Sequence, residues 1–550
     1  MPTITLNRKV VESLVGKKLP LEELKDRISM LGTDLEHVDD DEIIVEIFPN
    51  RPDMLSEQGF SRAFSSFIGV NKGLRKYNVK KSGEKVIVNK SLKDVRPYTV
   101  CAIVKNLNLN DERIREIIQI QEKLHVTYCR KRKKAAIGIY PMEKIKYPIY
   151  FTAKKPEEIV FRPLEWNKVI NAKQIMEQHP TGIEYKHLLK DLKKYSVFYD
   201  ANNEVLSVPP IINSHKTGKI TDTTKEVFIE VSGFDLHTLN YVLNILVTAL
   251  AEMGADIYSM KVEYPDKTIV TPNLNPTKMK FDLSYLNKWL GLKLNEKQAK
   301  DLLEKMGFGY EKGTALIPAY RPDILHPTDL SEDIAIAYGY ENFTPEIPSK
   351  ATVGQEDLYE KFRKNIANIL IGLNLLEVSS YHLANEQKQF SYMNIKSNNY
   401  VKLANSLSEE YQIMRECILP NLMKILGDNT HNEYPQKIFE SGKVFKLGES
   451  NTGVIEDDNL ACALSNNDID YTKIRQVLDY LFTQLGIKYE IKETVHETFI
   501  PGRVGKIIMD KKEIGFIGEI HPKVISSFGI EMPVSGFEIN LKKVFKKIEK

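Results

Sequence analysis

Cysteine is scarce in this chain. Only Cys101, Cys129, Cys417 and Cys462 occur in 550 residues, and no two share a Cys-x-x-Cys spacing, which argues against a zinc site and gives no disulfide framework. Long apolar runs are missing too. The most hydrophobic helical segment, 241–253, is interrupted by Asn244, Thr248 and Glu252 and is too short to span a bilayer. The opening residues, MPTITLNRKVVESLVG, lack a signal-peptide core, so a cytoplasmic protein with no membrane partner is expected. Neither charge sign dominates: 77 Lys and Arg against 74 Asp and Glu give a formal +3, and any affinity for nucleic acid has to come from local patches. Linkers rich in Pro, Gly or Ser and low-complexity tracts are also absent, which predicts tightly packed domains.

The length is that of several domains, and 42% hydrophobic with 27% charged residues is an ordinary globular balance. Residues 1–85 predict a small α/β unit, with strands over 3–6 and 42–48 and helices over 9–15, 21–31 and 56–68. Residues 86–267 predict a larger α/β block, with strands over 98–104, 135–140 and 226–231 and helices over 112–125 and 235–253. Pro209-Pro210 makes 205–212 an edge or extended segment. Residues 268–345 predict a compact unit of helices (283–290, 296–306) and a β-hairpin. From 350 to 550 the chain starts afresh, with a long helix over 359–373, a strand over 378–382, further strands and a helix over 472–485. The stripe of helix 359–373 suits a subunit interface or a domain core, and periodicity does not separate the two.

The segment 318–343, PAYRPDILHPTDLSEDIAIAYGYENF, carries the densest chemistry. Asp329, Glu332 and Asp333 stand at i, i+3 and i+4 and share one helix face, Leu330, Ile334, Ala337 and Tyr338 form the opposite apolar stripe, and Asp323 precedes the helix. Clustered carboxylates repel one another unless something positive neutralises them, and a hard cation such as Mg²⁺ takes oxygen ligands. Acids in a first helical turn also suit the helix dipole, with Thr328 or Asp329 as a cap. The tripeptide Arg-Pro-Asp occurs twice, at 51–53 and 321–323, as an internal echo or a shared turn preference. A basic run, Arg130 to Lys134, either faces solvent or meets phosphate.

Several segments, in this order and spacing, resemble the β subunit of phenylalanyl-tRNA synthetase of the archaeal and eukaryotic cytosolic kind. They are FPNRPDMLSEQGFSRAF, QEKLHVTYCRKRKKAAIGIYPMEKI, SVPPIINSHKTGKI, the acid segment, EYPQKIFESGKVF, FIPGRVGKI and GFIGEIHPKV. The resemblance covers essentially the whole chain. It implies a multidomain α/β and α+β fold: an N-terminal α/β unit, an editing domain, a winged-helix-like domain with the acid cluster, and a C-terminal class II synthetase-like antiparallel-sheet core without catalysis. It implies an (αβ)₂ heterotetramer with an α subunit that uses ATP to charge tRNA(Phe), and Mg²⁺ at Asp323, Asp329, Glu332 and Asp333.

The resemblance also places an editing site at Ser207, Asn213, Ser214, Glu230 and Ser232, which would hydrolyse Tyr-tRNA(Phe). Family members more usually carry Asp and Thr where this chain has Glu230 and Ser232, so the carboxyl here reaches one methylene deeper. Glu230 is the candidate acceptor for the tyrosine phenol, and Ser207 and Ser232 would orient ester or water. His215, beside Asn213-Ser214, invites a general-base role. Arg415 and Arg503 sit where class II enzymes hold ATP, but lack the usual Arg-x-Glu spacing and full glycine pattern. Two other readings stay open: a free-standing aminoacyl-tRNA deacylase, and a non-catalytic RNA-binding scaffold.

Overall fold

The computed structural model describes residues 2–347, 349 and 352–549. It divides into two compact units, Met1–Glu346 and Ile347–Lys550.

In the first unit the most extensive hydrophobic cluster runs from Ile4 to Ala337, so all three segments expected from sequence contribute to it, and two smaller clusters lie within the middle segment. A three-stranded antiparallel sheet places Glu42–Glu46 between Thr3–Asn7 and Asp34–Val38. Ile4, Leu6, Ile43 and Val45 alternate with more exposed neighbours and point into the core, as a half-buried strand requires. Asn7 starts the helix Arg8–Val15 by accepting the N–H groups of Lys9 and Val10, and Gly16 ends it at φ 77°.

A ten-stranded sheet organises the middle of the unit. At one end of it lie Tyr98–Lys105, Val227–Gly233 and the edge strand Ala135–Pro141, with the helix Leu236–Glu252 packed on the first two. At its far edge Val205–Val208 pairs with Tyr195–Tyr199 and with the two-residue strand Ile212–Asn213, so the proline-bearing segment does lie at an edge. Two expected boundaries are corrected. Val79–Val88 and Thr268–Thr271 both belong to this sheet, so it crosses the divisions set at 85/86 and 267/268. Strand pairing across those positions, which no local pattern encodes, joins the segments into one sheet. The helices Leu283–Leu290, Glu296–Lys305 and Pro327–Tyr338 then pack with a small sheet made of Thr277–Lys280, Thr314–Ile317 and Gly309–Glu311.

The second unit is built on a seven-stranded sheet, antiparallel apart from one short parallel pairing at Leu376–Glu377. Leu460, Cys462 and Leu464 face one core with Phe362, Ile366 and Leu370, while Ala461 and Ala463 face the other with Leu422 and Met423. The helix Leu358–Gly372 therefore spends Phe362, Ile366 and Leu370 on its own unit's core rather than on a partner. The strand expected over 378–382 is not formed. Val378 N–H still reaches Phe439 O at 2.9 Å, but the Ser380 hydroxyl bonds Glu440 and the His382 carbonyl accepts Arg415 N–H, which draws the segment off the ladder. Among the described residues no helix is long and apolar enough to cross a membrane.

Candidate functional site: a cavity with an unsatisfied carboxyl

A cavity of 580 Å³ opens between the helix Asp111–Val126, the strands Ala135–Pro141 and Val227–Gly233, and the edge turn after Val205–Val208. Ser207, Asn213, His215 and Glu230 all line it. Ser207 and Glu230, on strands toward opposite ends of the sheet order, meet here because the turn after Val205–Val208 folds back over Ala135–Pro141 and Val227–Gly233.

Glu230 sits in mid-strand opposite Gly138, and that glycine makes the site possible. A Cβ at 138 would lie 2.6 Å from Glu230 Oε1 and closer still to the Tyr140 oxygen. In its absence the Tyr140 ring, stacked on Phe228, folds its phenol back over the gap. The Tyr140 hydroxyl lies 2.7 Å from Ser207 Oγ, 3.2 Å from Glu230 Oε1 and 3.4 Å from Asn213 Oδ1. One phenol proton cannot serve three acceptors, so a second proton is needed. The Ser207 hydroxyl has one of its own, and Glu230 holds another: burial pushes its pKa up to about 8, although the Arg96 charge and bonds with Tyr140 and Ser232 pull the other way. At neutral pH the group is a carboxylic acid, able to donate as well as accept. Its Oε2 is buried and makes no well-formed hydrogen bond among the described residues.

Ser214 and Ser232 do not line the cavity. Ser214 is buried and its N–H donates to Leu206 O at 2.7 Å. Ser232 Oγ accepts from Arg96 Nε at 3.1 Å and backs the Glu230 strand. His215 is half-buried, and its Nδ1 is closed off without a hydrogen-bond partner. Burial lowers the His215 pKa, aided by the charges of Arg162, Lys219 and Lys144. Tyr140, Gly138 and Arg96 were not singled out from sequence. The one available signal was a glycine inside an otherwise strand-like AAIGIY, which marks close approach.

The basic run makes a tight turn after the helix Asp111–Val126, with Arg130, Lys131 and Arg132 at φ 51°, 50° and 64°. Arg132 turns inward and lines the cavity. It donates to Ile211 O at 2.9 Å and Glu122 Oε1 at 3.0 Å, and its guanidinium lies 4.4 Å over the Tyr185 ring. Arg130, Lys131, Lys133 and Lys134 remain exposed.

The acid cluster is arranged differently from its expectation. Arg321, fully buried, grips Asp323 through Nε and Nη2 at 2.9 and 2.7 Å and reaches Asp333 at 2.7 Å. Asp329 accepts the N–H groups of Leu325 and His326, each at 2.7 Å, as part of a box in which His326 caps the helix Pro327–Tyr338. Glu332 is exposed and accepts no hydrogen bond among the described residues; burial, then the charges of Asp333, Asp329 and Asp323, raise its pKa. Among the described residues no three of the four acids bring oxygens within 4.8 Å of one another. As arranged here they do not form one Mg²⁺ ligand set, because an arginine already supplies the positive charge.

The tripeptide at 51–53 closes in the same way, but its arginine hydrogen-bonds only its own aspartate. Arg51 holds Asp53 at 2.8 and 2.9 Å, and the Arg321 charge acts on Asp53 while that of Arg51 acts on Asp333. Both Arg-Pro-Asp turns thus close on themselves and face each other in the shared core.

In the second unit Arg415 is 1% exposed and donates to Glu440 at 2.6 Å, Ser380 at 2.9 Å and Lys443 O at 2.8 Å. Arg503 is exposed and paired with Glu519 at 2.6 Å. Both arginines are engaged within the chain.

With this geometry in view, the class is that of a tRNA synthetase component. Residues 279–340 match the family model for the tRNA synthetase B5 domain, and residues 344–541 match that for the phenylalanyl tRNA synthetase beta chain CLM domain. The phenylalanine–tRNA ligase beta subunit of Pyrococcus abyssi is 42% identical over 99% of this chain and 100% of its own length. That of Archaeoglobus fulgidus is 38% identical over 99% of each. A crystal structure of an N-terminal fragment of the phenylalanyl-tRNA synthetase beta subunit from Pyrococcus horikoshii superposes with a TM-score of 0.59 at 40% identity, covering 61% of this chain and 99% of that one. The chain belongs to the phenylalanine–tRNA ligase β-subunit family.

Proposed function

We propose that this chain pairs with an α subunit in an (αβ)₂ phenylalanine–tRNA ligase, that α uses ATP to charge tRNA(Phe), and that the Glu230 cavity hydrolyses tyrosine from wrongly charged tRNA(Phe). Phenylalanine and tyrosine differ by one hydroxyl, and an apolar pocket rejects an added hydroxyl only about 10²-fold. A second site that selects for the hydroxyl removes the error.

The observation that carries this reading is Glu230, a residue of the cavity wall whose Oε2 is buried and makes no well-formed hydrogen bond among the described residues. A tyrosine phenol would satisfy it; a phenylalanine ring would leave it unpaired, at a cost of about 1–3 kcal/mol. Tyr140, itself bonded to Ser207, reaches the other carboxyl oxygen and so helps hold the acid in place. The engaged state of Arg415 and Arg503 supports an antiparallel core that keeps a class II-like fold without its adenylation chemistry.

A cation at the acid cluster rests on Glu332, the one acid of the four without a partner there. Mg²⁺ held by Glu332 would neutralise the repulsion around it, and no chemical step runs through it. In that case Mg²⁺ raises the melting temperature of the parent and not of Glu332→Gln.

The test of function is direct. With the co-expressed α subunit, Glu230→Ala weakens deacylation of Tyr-tRNA(Phe) and leaves Phe-tRNA(Phe) synthesis near the parent level. Equal deacylation by variant and parent removes Glu230 from the mechanism. Amino-acid-dependent ATP–pyrophosphate exchange by the isolated chain would refute the silent core.

A further inference from the structure

A tyrosyl ester offers a cavity three polar groups: the phenol, the ester carbonyl and the α-amino group. Glu230 accounts for the phenol. An ammonium calls for a carboxylate, and three line the cavity: Glu122, Glu165 and Glu230. Glu230 is the neutral acid described above. Glu165 is exposed, and no hydrogen bond among the described residues fixes its side chain. Glu122 differs from both. Its Oε1 takes two donors that themselves line the cavity, Arg132 Nη2 at 3.0 Å and His125 Nδ1 at 3.2 Å. Its Oε2 has no hydrogen-bond partner among the described residues and is not among the buried atoms; the side chain is 46% exposed, so a ligand can reach it.

We propose that Glu122 binds the α-ammonium group of the tyrosyl ester and makes the cavity selective for aminoacyl esters; this rests on the reading of the cavity as a tyrosyl-ester hydrolase. The carboxyl is prepared for that role. Burial works against its ionisation, but the bonds from His125 and Arg132 outweigh burial and hold the group below the ordinary carboxylate range. The His125 ring is set by its other nitrogen. Nε2 accepts the Ile137 N–H at 2.9 Å, so the ring proton stands on Nδ1 and is donated to Glu122. Arg132 is held in turn by Ile211 O at 2.9 Å and by the Tyr185 ring. Both donors meet Oε1, which leaves Oε2 to the ligand.

The placement suits a single tyrosyl group. Ile137 adjoins Gly138, and Gly138 stands opposite Glu230 in the strand pair. One backbone step and one imidazole ring therefore connect the phenol acceptor to the ammonium acceptor within the same cavity. An acid kept only to support the fold would serve His125 and Arg132 equally well as a neutral amide. Glu122→Gln separates the two roles. Its amide oxygen takes the place of Oε1 and keeps both donors, whereas its NH2 group stands where Oε2 was and repels an ammonium.

The experiment uses the complex with α and two substrates: Tyr-tRNA(Phe), and the 3-(4-hydroxyphenyl)lactyl-tRNA(Phe) made from it with nitrous acid, in which a hydroxyl replaces the amine. Deacylation is followed at about pH 6.5, below the α-amino range of about 7.7–8.0. A hydrogen bond to a charged group is worth about 10–10²-fold, so Glu122→Gln loses that much in kcat/KM on Tyr-tRNA(Phe) and less than about threefold on the hydroxy ester. Comparing the two losses cancels the different intrinsic reactivities of the esters and any general damage to the fold. Glu122→Asp keeps the charge and with it a preference for the amine that Glu122→Gln lacks. Equal losses on the two esters overturn the proposal while leaving the hydrolase reading intact. So does a Glu122→Gln variant with the parent's rate on Tyr-tRNA(Phe). A parent complex that leaves Tyr-tRNA(Phe) untouched overturns both.

Discussion

Two glutamates, each in the middle of a sheet strand and each nearly inaccessible, have opposite surroundings. Glu440, 3% exposed in the second unit, has Arg415 on one oxygen at 2.6 Å and Ser380 on the other at 2.6 Å. Glu230, 2% exposed in the first unit, has one contact at 3.2 Å and an oxygen with no well-formed bond. The first is a closed ionic knot that orders three segments, Ser380, Arg415 and Glu440. The second is an open valence at the wall of a cavity. Burial of a charged residue is therefore not itself a mark of function. The same test separates the arginines: a class II position at Arg415 is fully spent inside the chain, whereas Arg132 keeps a buried Nε unpaired beside the cavity.

The comparison breaks most visibly if the knot is cut. Arg415→Met leaves Glu440 buried without its cation and should cost about 3–5 kcal/mol. Both tryptophans, Trp166 and Trp289, lie in the first unit, so hydrogen exchange over Gln436–Leu447 is the measurement. Replacing Arg415 and Glu440 together by Met and Leu should recover much of the loss, since a well-packed apolar pair avoids desolvation.

Glu230→Gln should do the reverse. The folded pKa of about 8 lies above the ordinary 4.5, so the folded state binds more protons than the unfolded one between those values. Stability from this group is full below the unfolded pKa and falls as pH rises toward the folded one. The parent should therefore lose on the order of a few kcal/mol relative to Glu230→Gln from pH 5 to 8. Denaturation at several pH values checks this; parallel curves would mean the carboxyl is ionised in the fold.

Gly138→Ala comes next. Its methyl group would collide with Tyr140 and Glu230, for about 1–3 kcal/mol of overpacking, and should abolish Tyr-tRNA(Phe) deacylation while charging persists. Arg503→Ala should do least. An exposed pair such as Arg503–Glu519 is worth about 0–1 kcal/mol, and charging by the complex should be unaffected. A large loss of charging would return Arg503 to the nucleotide site.

What the sequence made legible follows from range. The helices Leu283–Leu290 and Leu236–Glu252 show their apolar period within one window, and their ends fall within a residue of expectation. Of the five residues named for an editing site, Ser207, Asn213 and Glu230 line one cavity and Ser214 and Ser232 do not. Tyr140 and Gly138 stayed hidden because their importance depends on a cross-strand register to Glu230, ninety residues away, which no local pattern encodes. The acid cluster was legible as a charge problem, but its solution was not: Arg321 stood two residues from Asp323 and read as part of a turn. The segment 378–382 had strand-like composition and lost its ladder to side-chain bonds at Ser380 and Glu440.

The paired Arg-Pro-Asp turns bear on how this chain can be taken apart. One turn lies near residue 50 and the other beyond residue 320, and each arginine's charge is felt by an aspartate of the opposite segment. A truncation that removes the first 85 residues would strip the charge of Asp53 from buried Arg321 and that of Arg51 from Asp333, far downstream. Chimaeras between relatives should accordingly exchange the two ends of the first unit as one inherited piece, even though more than 200 residues of intervening chain separate them.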